Sequence, residues 1–139
     1  MDEKRILSKF KELENYLDEL ENIKPIDYEV YEKSIKDRRA CERLLQISIE
    51  SILDICNIII SGLKTGIPSD EDEVFDKLHS KKVISSEIKL ILKEMKGFRN
   101  ILVHKYGIVD NEKVFEIFSD RLTDFEKFKE EILKFLKKK

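Results

Sequence analysis

An all-α fold, an antiparallel bundle of four main helices plus a short one, follows from three observations on this chain. Turn material is scarce: four Gly and two Pro in 139 residues are too few for a β-sandwich or barrel, which needs a turn signal every few residues. Apolar residues recur at steps of three and four over long stretches, the period of a helix with one buried face. The composition is 41% hydrophobic and 40% charged. That leaves enough Leu, Ile, Val and Phe to offset the entropy of ordering the chain, so the high charge does not signal disorder.

Taken in order, Ile6, Phe10, Leu13, Leu17 and Leu20 form one narrow stripe and predict a helix over about residues 3 to 22. Pro25 breaks it, and Asp27 caps a long second helix from about Tyr28 to Ser61, with a bend expected near Ile35 to Asp37. Gly62, Gly66 and Pro68 end that element. Asp70, with Glu73 three residues on, has the spacing of a capping box and opens a short acidic helix through about His79. Ser85 or Ser86 caps the next helix, which runs to about Tyr106 before Gly107 stops it. Asp110 or Asn111 caps the last helix, whose stripe is Val114, Phe118, Phe125, Phe128, Ile132 and Leu136. No repeat or low-complexity linker divides the chain, so residues 1–139 are read as one domain.

Charge and cysteines narrow the function. Twenty-seven Lys plus Arg against 29 Asp plus Glu give a net charge of -2, so the overall field does not hold nucleic acid and any RNA contact has to be local. The first residues, MDEKRILSKF, lack the apolar centre of a signal peptide. No apolar run approaches the roughly 20 residues that span a bilayer, and a cytoplasmic protein with no membrane partner is expected. Cys41 and Cys56 fall on one helix, separated by about 22 Å at the α-helical rise, and cannot bridge each other. Without a CxxC pair a structural zinc site is not expected.

The helix from about Ser86 to Tyr106 carries the informative polar residues. With Ile88 at zero and about 100° per residue, Leu92, Met95, Leu102 and Tyr106 fall within about 40° of it, and Arg99 sits inside this stripe at about 20°. Leu90, Gly97, Ile101 and His104 gather on the opposite side, a second face for which one small bundle offers no cover, so a second subunit is expected to pack there. A guanidinium in an apolar stripe needs a carboxylate, a carbonyl or a ligand phosphate. The long helix offers a polar seam, Arg39, Arg43, Gln46, Glu50, Asp54 and Asn57. Either the seam is that helix's solvated face, or it walls a polar cleft with Arg99. His104 lies in the last turn, where unpaired carbonyls favour the imidazolium and proton transfer near neutral pH. Five residues from Arg99, it points about 140° away, so the two meet at one substrate only through a distorted helix end or a second copy. His79 is read as structural. No Gly-rich phosphate loop, GxSxG elbow or HExxH element is present, and Asp70-x-Asp72 belongs to the capped acidic helix.

The run Gly97-Phe98-Arg99-Asn100-Ile101-Leu102-Val103-His104-Lys105-Tyr106, with its Arg-x4-His-x-Tyr core, resembles the signature of the HepT toxins, a branch of the prokaryotic HEPN superfamily. Asp37-Arg38-Arg39-Ala40 resembles the lead into that family's polar-seamed helix, and chain length and helix order also fit. The resemblance implies a homodimeric ribonuclease toxin that cuts RNA with no metal and no other cofactor. Its implied partner is a small MntA-type nucleotidyltransferase antitoxin. Carried over residue by residue, Arg99 holds the scissile phosphate and His104 moves protons at the ribose 2′-hydroxyl and the leaving oxygen. Tyr106 is the implied site of adenylylation, whose added negative charge repels RNA. Asn100, Lys105, Arg39, Arg43, Glu50 and Asp54 take supporting places. The alternative expectation is a noncatalytic helical subunit that binds nucleotide or substrate for a nucleotidyltransferase complex.

Overall fold

In the computed structural model, which describes residues 1–104 and 109–138, the first helix, α1 (Glu3–Ile23), opens on Asp2, whose side chain accepts the Arg5 N–H. Its buried residues are the five of the expected stripe, Ile6, Phe10, Leu13, Leu17 and Leu20, and α1 packs along the central helix α3 (Ile35–Leu63). Between them lies α2 (Tyr28–Lys33), capped by Asp27, which accepts the Val30 N–H at 2.9 Å. The bend expected in one long helix is instead a full break one residue earlier. Ser34 is extended, ends α2, and starts α3 by accepting the Asp37 N–H on its hydroxyl at 3.1 Å. A serine at this position competes for backbone donors and so favours a cap over a continuous turn.

At the other end, α3 runs through Gly62 and stops at Lys64, which takes the left-handed conformation at φ 54°. Gly62 is therefore a contact residue and not the stop: a Cβ there would lie 2.8 Å from the Met1 sulfur. By length and composition α3 has enough apolar character to cross a bilayer, although Glu50 and Asp54 interrupt any continuous apolar run. Yet 61% of its most apolar window is buried, because α1, α2, α4 (Glu71–Ser80), α5 (Ser86–His104) and α6 (Asn111–Asp120) all pack on it. Cys41 and Cys56 lie on this helix as free, buried thiols. Burial pushes the Cys41 thiol up to about 12 and that of Cys56 further up still.

Asp70 caps α4 by accepting the Glu73 N–H at 2.8 Å, but Glu73 reaches back one residue beyond the cap, to the N–H and hydroxyl of Ser69, both at 2.6 Å. These two bonds hold the Glu73 carboxyl below its usual range. Ser85 caps α5, its hydroxyl accepting the Ile88 N–H at 3.2 Å. The same serine donates from its backbone and hydroxyl to Glu131 of α7 (Thr123–Lys137), both at 2.7 Å. Asp110 caps α6 through the N–H groups of Glu112 and Lys113.

The single last helix expected from the stripe is two helices, α6 and α7. Ser119, Asp120, Thr123 and Asp124 surround the break, residues whose side chains compete with the helical ladder. Arg121, between them, binds Asp124 at 3.0 Å and Glu94 of α5 at 2.8 Å. The stripe survives the break, with Val114, Phe118, Phe125, Phe128 and Ile132 all buried. Phe118 joins Tyr31, Tyr28 and Phe115 in an aromatic cluster that seats α2 on α6, the Tyr31 and Phe118 rings 5.2 Å apart. Among the described residues every regular element is helical.

Candidate active site on the fifth helix

The sequence divides α5 into strips, and each meets a different neighbour. Ile88, Ile91, Leu92, Met95, Phe98 and Leu102 are buried and fix the helix against the core. Beside them runs a row of cations, Lys89, Lys93, Lys96 and Arg99, at the spacing that keeps side chains on one helical flank. All four meet carboxylates of α4. Lys89 and Lys93 pair with Asp76 at 3.4 and 3.3 Å, Lys96 with Asp72 at 2.8 Å, and Arg99 with Glu71 at 2.6 Å. The descending numbers on α4 against the ascending ones on α5 make this an antiparallel charge zipper. The Lys93 hydrogen bond, with a smaller contribution from Lys89, holds the Asp76 carboxyl below the ordinary range.

Arg99 closes the zipper at the end nearest His104. Its side chain is 18% exposed and has two partners among the described residues: Nη2 donates to Glu71 Oε1, and Nε donates to Asn100 Oδ1 at 2.9 Å. These bonds use two of the five guanidinium donors. The carboxylate required by an arginine in an apolar stripe thus comes from the short acidic helix, and among the described residues the α3 seam makes no bond to Arg99. The seam residues are occupied elsewhere. Arg39 pairs with the buried Glu42 at 3.1 Å, Gln46 donates to Glu50 at 3.2 Å, and Asp54 accepts from Lys9 of α1 at 3.3 Å. Arg43 and Asn57 are exposed. Among the described residues the seam therefore runs as a polar flank of α3 whose Asp54 end faces α1, where Arg5, Lys9, Asp54, Asn57 and Ser61 line a polar cleft.

Sequence reasoning missed Glu71, which it absorbed into a capping run. The signal was present: acids at 72 and 76 and bases at 89, 93 and 96 repeat with helical spacing on two consecutive helices joined by a short turn.

The remaining strip of α5 is open. Leu90 is 60% and Ile101 is 47% exposed, His104 is exposed as the last helical residue, and a Cβ at Gly97 would meet nothing within 4 Å. Gly97 and Ile101 also border an apolar groove of about 350 Å³ that reaches Ile49, Met95, Phe98, Ile117 and Phe125. Because α5 stays helical through His104, Arg99 and His104 leave it about 140° apart, one toward α4 and one on the open side. The helix end itself provides no distortion up to that point. Lys105 and Tyr106, also expected at the site, lie outside the described residues.

This arrangement can be set beside known proteins. Residues 13–132 match the family described as Ribonuclease HepT-like, a span that includes Arg99 and His104. The chain is 31% identical over 121 residues to the tRNA nuclease HepT of Aphanizomenon flos-aquae, covering 87% of this chain and 82% of that protein. It is 34% identical over 84 residues to the mRNA nuclease HepT of Shewanella oneidensis, covering 60% of this chain and 63% of the relative. Among solved structures, the tri-AMPylated Shewanella oneidensis HEPN toxin in complex with MNT antitoxin superposes with a TM-score of 0.85 at 26% identity, over 93% of this chain and 96% of that one. YutE of Bacillus subtilis, a cytosolic protein of unknown function, shares the fold with a TM-score of 0.82 at 24% identity, over 99% of this chain and 92% of that one. With α2 to α6 and most of α7 inside the matched span, this chain belongs to the ribonuclease HepT-like family.

Proposed function

We propose that the chain is a cytoplasmic endoribonuclease toxin that acts as a homodimer and is silenced when an MntA-type nucleotidyltransferase antitoxin adenylylates Tyr106. The observation that carries this reading is the pair formed by an anchored Arg99 and an outward-facing His104 on one helix, within the span that matches the family. The open strip of Leu90, Gly97 and Ile101 beside His104 supports the dimer, since a second copy seated there brings two such helix ends together. The Tyr106 assignment rests on the Arg-x4-His-x-Tyr motif.

In the proposed reaction the RNA 2′-oxygen attacks the adjacent phosphorus, the bond from phosphorus to the 5′-oxygen breaks, and charge builds on the phosphoryl oxygens. The remaining donors of Arg99 hold that charge. His104 moves the proton between the 2′-hydroxyl and the departing 5′-oxygen. These steps require no metal. AMP added to Tyr106, two residues beyond His104, places phosphate charge where RNA phosphate must enter and excludes it by repulsion and bulk.

The test has two arms. Purified protein is incubated with unfractionated bacterial RNA in excess chelator, and cleavage is expected for the wild type and lost in His104→Ala. Intact mass and peptide mapping after incubation with the cognate antitoxin and ATP are expected to show adenylyl groups on Tyr106. Cleavage that survives in His104→Ala sinks the catalytic assignment, and a wild-type protein that cuts no RNA favours a noncatalytic binding subunit.

A further inference from the structure

Arg99 is the most completely engaged cation of the zipper, and its partner is not on the helix expected to supply one. We infer that Glu71 is a positioning residue for the proposed RNA cleavage: it fixes the guanidinium of Arg99 in the orientation that receives the scissile phosphate. The inference rests on the ribonuclease reading above and extends it to a residue outside the Arg-x4-His motif.

Three observations carry it. The Glu71 to Arg99 contact, at 2.6 Å, is the shortest of the four that join α4 to α5, and the Arg99 side chain is 18% exposed against 35% for Glu71. It is one of a pair of anchors. Glu71 holds Nη2 and Asn100 holds Nε, and two directional bonds to one guanidinium restrict its rotation more than either bond alone. Glu71 is also itself well fixed, as the first residue of α4, directly after the capping Asp70, where the helix dipole favours a carboxylate. The Lys96 to Asp72 pair one turn away makes the same kind of helix-to-helix tie without touching Arg99. It separates what the zipper does for packing from what Glu71 does for the arginine.

An arginine has four freely turning bonds before its guanidinium, and placing it ahead of the substrate removes a reorganisation cost from the reaction step. Loss of the anchor is therefore expected in kcat and not in general RNA affinity. The experiment measures steady-state cleavage of a fluorophore-quenched oligoribonucleotide of mixed sequence by the wild type, Glu71→Ala, Glu71→Gln, Glu71→Asp, Asp72→Ala and Arg99→Ala, with thermal melts of each. The expected result is a kcat lowered about 10- to 100-fold in Glu71→Ala and Glu71→Gln, with KM within about threefold of wild type. Partial recovery is expected in Glu71→Asp, and little change in Asp72→Ala even if its melting temperature falls as far. The glutamine variant keeps the test valid if the alanine variant fails to fold. A kcat within twofold of wild type in Glu71→Gln, while Arg99→Ala is inactive, would overturn the positioning role alone. A lower KM at unchanged kcat would also overturn it, because the carboxylate would then be competing with RNA phosphate. Full cleavage by Arg99→Ala would remove the catalytic assignment of Arg99 and this role with it, whereas a wild type that cuts no RNA would remove the ribonuclease reading itself.

Discussion

The two flanks of α5 differ in how they are finished. The flank toward α4 is closed: each of its four cations has a carboxylate within 3.4 Å, all supplied by a ten-residue helix of the same chain. The opposite flank exposes Leu90 and Ile101, and a Cβ at Gly97 would meet nothing within 4 Å among the described residues. A flank satisfied by its own chain contributes to the monomer's stability, whereas an apolar flank left in water gains free energy only when something covers it. Arg99 belongs to the first and His104 to the second, so the proposed chemistry draws one residue from each.

The largest effect expected ignores the boundary between them. Arg99→Ala and His104→Ala should each lower RNA cleavage by about 100-fold or more, with far-ultraviolet circular dichroism unchanged. A loss confined to one of them would mean that only one flank serves the reaction. Next in size is the core strip between the two: Leu92→Ala, at a fully buried position, should cost about 2–5 kcal/mol in urea unfolding. Ile101→Asp sharpens the contrast, because it should abolish self-association in analytical ultracentrifugation while leaving the monomer's melting temperature within a few degrees. A dimer that survives this substitution would place the interface elsewhere.

Smaller still is Gly97→Ala. A methyl group there meets nothing within 4 Å among the described residues, so removing a mid-helix glycine should stabilise the monomer by about 0.5–1 kcal/mol. The same methyl should weaken self-association if a second backbone approaches at this point. The smallest effect is on the closed flank. The Asp76 carboxyl is held below its ordinary range, so the stability it adds is present above the unfolded value and lost as pH falls through the folded one. Asp76→Asn should therefore have a lower urea midpoint than wild type near pH 6, and the gap should close toward pH 2.

Much of this was legible in the sequence. The α1 stripe, the caps at Asp27 and Asp70, the caps at Ser85 and Asp110 to within one residue, and the two-sided character of α5 all follow from period and local side-chain chemistry. The breaks at Ser34 and at Arg121 to Leu122 did not, because an apolar stripe carries on across a one- or two-residue interruption and hides it. Glu71 was hidden for a different reason: in a chain with 29 acidic residues, the carboxylate that meets a given arginine is decided by how helices pack. The α3 seam had the more regular spacing, yet that spacing faces α1 and solvent. Arg99 and His104 each stood out by position on α5, but only the motif joined them, since on one helix their side chains diverge.

Cys41 and Cys56 stand near opposite ends of α3, both buried and with their thiols held protonated by the apolar surroundings. In the folded chain neither presents a thiolate to an alkylating reagent, so labelling has to wait for the surrounding helices to part. Cys41 sits near Tyr31 of α2, and Cys56 is close enough to Glu71 to feel its charge. The two labelling rates thus report openings at two places along α3, read from the native protein without any substitution.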